Sequence, residues 1–299
     1  MTQTLQMPLI LTPTPTPTPT PTQMVVGSDA TAQPDAVDLA RRFGGLARLY
    51  GARGAAQIQA AHVAVVGIGG VGSWAAEALA RSGVGRITLI DYDNIAESNI
   101  NRQIHAETST VGMAKVVAMQ ARIAQINPLC HVHCVEEFAT PENWQAMASQ
   151  GQFSAVIDAC DQVKTKIALA VWARDSARLQ EKNGAVLFIT VGAAGGKRRA
   201  DKVDIVDLAD TTHDPLLAKL RYSLRRQHGA PRDKRMGTQC VFSREAVATP
   251  DKAPALEAVD SAVSTDGSLN CHGYGSVVAV TASFGMCAAG WVLDALAKK

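Results

Sequence analysis

The sequence predicts an α/β fold, a mainly parallel sheet with helices on both faces. Three observations predict it. Short apolar runs, rich in β-branched residues, recur at His62–Val66, Ile87–Ile90, Ser154–Ala159 and Val186–Val191, the length of buried strands. Stretches of helical periodicity alternate with them, as parallel sheets require, because a crossover must return the chain to the same end. The segment HVAVVGIGGVGSWAAEALARSGVGRITLIDYD, His62 to Asp93, reads as strand, glycine turn, helix, strand and terminal acid. Gly67, Gly69, Gly70 and Gly72 leave room for backbone N–H groups to approach a phosphate. The helix Ser73–Arg81 adds partial positive charge at its start, and Asp91 stands where ribose hydroxyls are held. The class is Rossmann-like, with a mixed C-terminal extension.

A chain of 299 residues with 47% hydrophobic content can build a sizeable core. The net charge of +2 does not by itself demand a polyanionic partner. The six cysteines include no C-x-x-C pair, which argues against a structural zinc site. Cys160 and Cys287 lie in apolar runs and read as buried, reduced thiols, as suits a cytoplasmic protein.

Three segments divide the chain. Residues 1–36 hold a Thr-Pro repeat from Thr12 to Thr22 and read as an extended, disordered tail. A flexible tail is favoured over a targeting or partner-binding role, and no signal-peptide pattern is visible. Residues 37–196 make a nucleotide-binding domain, and residues 197–299 a C-terminal substrate region packed on the same fold. Residues 269–293 contain no Asp, Glu, Lys or Arg and are long enough to span a bilayer. His272 and the many small residues favour a buried helix of a soluble domain instead.

Taken in order, the first element is a helix over Ala36–Ala47, within an arm RRFGGLARLYG that carries Arg41, Arg42 and Arg48. After Asp91 a polar loop crowds Asp93, Asn94, Asn99, Asn101, Arg102 and Gln103 at the carboxyl edge of the sheet, where open α/β folds bind ligands. Ser109 or Thr110 is placed to cap a helix running from about Gly112 to Ile126. Lys115 falls in its first turn, where a cation opposes the helix dipole; it is either a surface lysine or a partner for phosphate. His131–Phe138 reads as a strand and Pro141–Ser149 as a short helix. The strand SAVIDA then brings Asp158 and Asp161 to the edge that carries Asp91. Two acids there suit Mg²⁺ or substrate positioning, and Asp161 also suits a helix N-cap. The helix Thr165–Ala177 follows, and the strand ending at Val191 enters a second glycine turn, Gly192–Gly196.

From Lys197 onward positive charge concentrates. Asp214-Pro215 opens a helix with Leu216, Leu217, Leu220 and Leu224 on one face. Lys219, Arg221, Arg225 and Arg226 lie off that stripe, and Gly229 ends it. This is a solvated charged face or an RNA footprint. Gln239–Phe242 reads as a strand bearing Cys240.

A glycine-rich turn alone does not separate redox enzymes from nucleotide-activating ones. Arg102 and Lys115 do: attack at the α-phosphate of ATP needs cations against developing phosphoryl charge, and hydride transfer does not. The motifs GIGGVGS, DYDNIAESNINRQ, VGMAK, INP and DACDQ resemble the ubiquitin-activating-enzyme superfamily, which includes the bacterial adenylyltransferases of sulfur-carrier proteins. The arm RRFGGLARLYG, the turn VGAAGG, the run CVFSRE and the run VTASFG narrow the resemblance to the tRNA threonylcarbamoyladenosine dehydratase family.

That resemblance implies an ATP-dependent, Mg²⁺-assisted activation of a carboxylate on tRNA. It places Gly67, Gly69, Gly70 and Gly72 on the phosphates and adenosine, Asp91 on ribose, and Asn99, Arg102 and Gln103 around the triphosphate. It gives Arg102 and Lys115 the task of neutralising charge and Asp161 that of organising Mg²⁺, supported by Asp158. Asp93 joins the nucleotide-facing set. Arg48 would reach into a neighbouring subunit's site, implying a homodimer, and a cysteine-desulfurase or sulfur-acceptor partner is compatible with the family. Cys240 and Cys271 are structural in this reading rather than nucleophiles. The rivals are an activator of a sulfur-carrier or ubiquitin-like protein, a redox enzyme and a non-catalytic nucleotide-binding scaffold.

Overall fold

Val63 and Val65 face one side of the central strand, Ala64 and Val66 the other, and all four are buried. A strand covered on both faces needs no polar alternation, which is why the sequence shows a continuous apolar run. The computed structural model describes residues 37–179, 185–248 and 274–299. The Thr-Pro tail, Cys271 and His272 lie outside the described residues, as does the start of the apolar stretch 269–293. Asp38–Lys299 forms one compact unit.

Among the described residues the sheet has seven strands: β1 (His62–Val66), β2 (Arg86–Ile90), β3 (His131–Val135), β4 (Ala155–Asp158), β5 (Leu187–Val191), β6 (Val203–Asp207) and β7 (Gln239–Ser243). Their order is β3-β2-β1-β4-β5-β7-β6. Every neighbouring pair is parallel except β6 and β7. The sequence reading has no strand at the antiparallel β6; its run VDIVD, two acids among three apolar residues and half covered at the sheet edge, gives a weak apolar signal. The chain winds outward from β1 to β3 and then returns to place β4 beside β1. That reversal opens a crevice between the loops after β1 and β4, the place where such sheets bind ligands.

Among the described residues seven helices cover the sheet: α1 (Leu39–Ala60), α2 (Gly72–Arg81), α3 (Lys115–Ile126), α4 (Trp144–Gly151), α5 (Val163–Leu179), α6 (Pro215–Gln227) and α7 (Val278–Ala297). One face buries Leu79, Val116, Met119, Phe284 and Val292 against Val65, Leu89 and Ile157. The other packs Trp144, Phe153 and Leu169 on Ala64, Val66 and Val156. The α6 stripe Leu217, Leu220 and Leu224 closes over Cys240 and Phe242. Each such fully buried aliphatic side chain contributes roughly 1.5–3 kcal/mol.

Two helix boundaries correct the sequence reading. The arm runs as helix to Ala60 rather than stopping at Ala47, and it is broken at Gly51, where φ is +75°. The helix carrying Lys115 begins after Ala114, whose side chain cannot cap. Thr110 instead accepts from Glu107 N at 2.9 Å and donates to His105 O at 2.7 Å, closing its own loop. The Asp214 cap stands as expected, accepting from Leu217 N at 3.0 Å with Pro215 in the first turn.

Helix α7 is long and apolar enough to cross a membrane. Within this fold Val280, Phe284, Ala288, Ala289, Val292 and Leu296 are buried in the core shared with α2 and the sheet. Gly285 permits the close approach: a Cβ there would lie 2.4 Å from Val71 O.

Candidate active site

The crevice is built from the glycine turn upward. Gly67 has φ +85°, and a Cβ on it would meet Ala159 O and Cys160 N at 2.9 Å. A Cβ on Gly72 would lie 1.7 Å from Gly67 O. These two glycines let the turn fold tightly on itself and against the loop after β4. Gly69 has open space on its Cβ side, so a ligand can approach the backbone there. Gly70 lies between the Arg102 stem and Thr281 of α7, each 3.3 Å from a Cβ built on it.

Asp91 is buried at the end of β2. Its Oδ2 accepts from Ile68 N at 2.6 Å and its Oδ1 from Asp93 N at 2.9 Å, tying the turn to the loop beyond. Burial pushes the Asp91 carboxyl above its usual value, against the pull of Lys115 and of the two backbone donors. Lys115 is 7% exposed, so the surface-lysine reading is overturned. Its Nζ lies 2.6 Å from Asp93 Oδ2 and 4.0 Å from Asp91 Oδ1. A cation sunk in the first turn of α3 is thus held by two carboxylates, which offset the unfavourable helix dipole.

The loop after Asp93 adds the other polar groups. Buried Asn99 accepts from Ala96 N at 3.1 Å and shapes a short 3-10 turn over Glu97–Asn99. Arg102 is half-buried; its Nη1 donates to Ser98 O at 2.6 Å and Asn101 Oδ1 at 2.9 Å. Its carbonyl accepts from Trp74 Nε1 at 2.9 Å and Thr281 Oγ1 at 3.4 Å, so α2 and α7 both fix this residue. Gln103 is buried, and its Oε1 has no partner among the described residues, an acceptor a bound group can satisfy.

Across the crevice the two acids of the β4 loop differ. Asp158 is fully buried: its Oδ2 accepts from Thr190 Oγ1 at 2.6 Å and Lys166 Nζ at 3.1 Å, and its Oδ1 accepts from Cys160 Sγ at 3.0 Å. Burial presses the Lys166 ammonium down, but Asp158, together with Cys160 and Asp214, raises it, and the net shift is upward. Asp158 is therefore a brace behind the loop, while Asp161 is exposed at the rim. Among the described residues no group of three His, Cys, Asp or Glu could hold a metal by itself. A lone acid at the rim still fits Mg²⁺, which keeps several waters and takes few protein ligands beside phosphates.

The geometry thus gathers Gly67, Gly69, Gly70, Gly72, Asp91, Asp93, Asn99, Arg102, Gln103 and Lys115 around the turn, with the Asp158–Asp161 loop opposite. Arg48 is elsewhere, exposed on α1. Cys240 is fully buried on β7, and burial drives its thiol well above its usual value, so it offers no nucleophile. Cys160 and Cys287 are only half-buried, contrary to their apolar sequence context. Sequence reasoning missed Lys166, Thr190, Trp74 and Thr281, which brace the site from a distance in the chain. The helical position of Lys166, eight residues after Asp158, was the one local signal. Asp214 is a further brace: its Oδ2 accepts from Ala193 N at 2.9 Å, so one carboxylate caps α6 and pins the second glycine turn.

Comparison with known proteins adds identity. Residues 42–197 match the ThiF family model. The tRNA threonylcarbamoyladenosine dehydratase of Escherichia coli is 42% identical over 92% of this chain and 97% of its own length. That of Haemophilus influenzae is 40% identical over 87% of this chain and 94% of its own length. The crystal structure of the E. coli enzyme in complex with ATP superposes with a TM-score of 0.73, covering 86% of this chain and 94% of that one. On the fold, the crevice and these likenesses together, the chain belongs to the ThiF family and groups within it with the tRNA threonylcarbamoyladenosine dehydratases.

Proposed function

We propose that this protein catalyses the ATP-dependent cyclising dehydration of threonylcarbamoyladenosine beside the anticodon of tRNA. The observation that carries this reading is the pairing of near-full-length similarity to the E. coli dehydratase with a crevice that sets Lys115 and Arg102 beside an open glycine turn. A carboxylate is a poor acyl donor because oxide is a poor leaving group. ATP is the substrate that activates it: a carboxylate oxygen bonds to the α-phosphorus and pyrophosphate departs. A nitrogen or oxygen of the same side chain then attacks the carbonyl, and AMP leaves with the former carboxylate oxygen. The net change is loss of one water.

The chain's own residues supply position and charge. Gly69 and Gly70 admit the phosphates to the backbone, and Asp91 accepts from ribose while Ile68 N and Asp93 N hold it in place. Asn99 and Gln103 line the triphosphate. Lys115 and Arg102 neutralise charge that grows on the phosphoryl oxygens. Asp161 would hold Mg²⁺ from the protein side, with Asp158 bracing the loop, and the ion would supply further neutralisation of phosphate charge. Arg48 acts in the neighbouring subunit of a homodimer, and its loss costs on the order of 10³ in rate, by analogy with other supplied arginines. Because closure of the ring is intramolecular, orientation replaces a protein nucleophile. Residues 37–196 form the adenylating domain, residues 197–299 face the tRNA, and the enzyme works in the cytoplasm as a ligase. A sulfur-relay protein is a further partner compatible with the family.

The test is direct. The purified protein is incubated with ATP, Mg²⁺ and tRNA bearing threonylcarbamoyladenosine, and the digested nucleoside is weighed. A product lighter by one water is expected. An unchanged nucleoside, with pyrophosphate released only when a sulfur-carrier protein is added, would reject the proposal in favour of carrier activation.

A further inference from the structure

Helix α6 and the loop after it form a groove of about 530 Å³ lined by Ala218, Arg221, Tyr222, Arg225, Arg226 and Arg232. Its four arginines pair with no carboxylate among the described residues, whereas Arg81, Arg122, Arg199 and Arg244 elsewhere each do. Arg221 donates to Leu208 O and Thr211 O, and Arg225 to Pro231 O and Arg232 O. Carbonyl partners fix a guanidinium in place without supplying a countercharge. Concave walls concentrate that charge further.

Tyr222 gives the groove a second property. It is 59% exposed, and the Arg226 guanidinium lies 5.7 Å from its ring centre. Arg226 Nη1 also donates to Tyr222 Oη at 2.5 Å, so the cation sits toward the hydroxyl edge. An exposed aromatic ring beside it, inside an arginine groove, matches the two chemistries of a nucleotide: a flat base to stack and a phosphate to neutralise. A duplex does not offer its base faces, so the fit is to an unpaired base.

We infer that this groove binds one unpaired nucleotide of an RNA loop, its base on Tyr222 and its phosphates against Arg225, Arg226 and Arg232. The inference rests on the reading above that the substrate is tRNA, and it names the surface that holds the loop.

The full chain is titrated with a hairpin RNA carrying a seven-nucleotide loop and with a blunt duplex of equal charge, over a range of salt. Wild type is expected to prefer the hairpin. Tyr222→Ala should weaken hairpin binding on the order of tenfold and leave duplex binding alone, with Tyr222→Phe close to wild type. Arg226→Gln should lower the slope of log K against log salt by about 0.7, and Arg225→Gln with Arg226→Gln by about 1.4. Melting temperature checks that each variant is folded; Tyr222 is exposed enough that loss of its side chain leaves the core untouched. Equal wild-type affinity for hairpin and duplex, an unchanged salt slope, or no effect of Tyr222→Ala would overturn the groove as the loop site. A protein that binds the hairpin as described yet never dehydrates the nucleoside would instead leave the groove standing and remove the proposed reaction.

Discussion

Replacing Lys166 by Met tests the brace behind the crevice. The ammonium and the Asp158 carboxylate are both fully inaccessible and lie 3.1 Å apart, with Thr190 Oγ1 bonded to each. Methionine has a similar length and fills the volume, so the perturbation is electrical more than steric. It leaves a buried carboxylate with no cationic partner, its remaining donors being the Thr190 hydroxyl, the Cys160 thiol and Cys160 N. Removing one partner of a buried pair costs about 3–5 kcal/mol, a large part of the roughly 5–15 kcal/mol that holds a domain folded. Urea unfolding of Lys166→Met should show an unfolding free energy lowered by that amount, through an earlier midpoint at an unchanged slope. Adding Asp158→Asn removes the stranded charge, so the double variant should recover about half of the loss. The pair's contribution holds below the ordinary lysine pKa and fades only as alkaline pH passes the raised value in the fold. A single variant that loses less than about 1 kcal/mol, or a double variant whose loss is the sum of two singles, would refute the view of Asp158 as a brace held by Lys166.

Three further outcomes follow from the same geometry. Arg102→Ala and Lys115→Ala should abolish turnover in the water-loss assay while each protein still unfolds cooperatively; full activity in either would dismiss its assignment to the phosphates. Burial, with Lys115 and Arg122 nearby, holds the His105 imidazole down at about 4, so stability should rise by on the order of 3 kcal/mol between pH 4 and 6.5 and stay level above. His105→Phe should flatten that rise, since neither ring nitrogen has a partner among the described residues, and a slope that survives would locate the proton elsewhere. Gly285→Ala should lower the melting temperature, because a Cβ 2.4 Å from Val71 O and 2.8 Å from Ala75 N costs about 1–3 kcal/mol of overpacking against about 1 kcal/mol of helix propensity gained. A variant as stable as wild type would show that α7 has room to shift off α2.

Much of the fold was legible in local pattern. The strand HVAVV, the glycine turn and the strand ending at Asp91 declare themselves because each is specified by neighbours in sequence: apolar run, absent side chains, terminal acid. Asp214-Pro215 and the leucine stripe of α6 are legible for the same reason, since a cap and a helical face span only a few residues. The motifs shared with ThiF proteins added the roles expected of Arg102, Lys115 and Asp161.

What the sequence by itself determined was the set of chemical groups and the strands and turns that carry them to one edge. Tertiary structure alone decided their condition. In sequence Lys115 is either a surface lysine or a phosphate partner until α3 and the Asp93 loop close over it, and Asp158 is one of two acids at the edge until Lys166 and Thr190 bury it. Thr281, more than two hundred residues after Gly70, meets the turn only because Gly285 lets α7 lie against α2. Burial and pairing depend on which distant segments pack together, and no window along the chain contains that information.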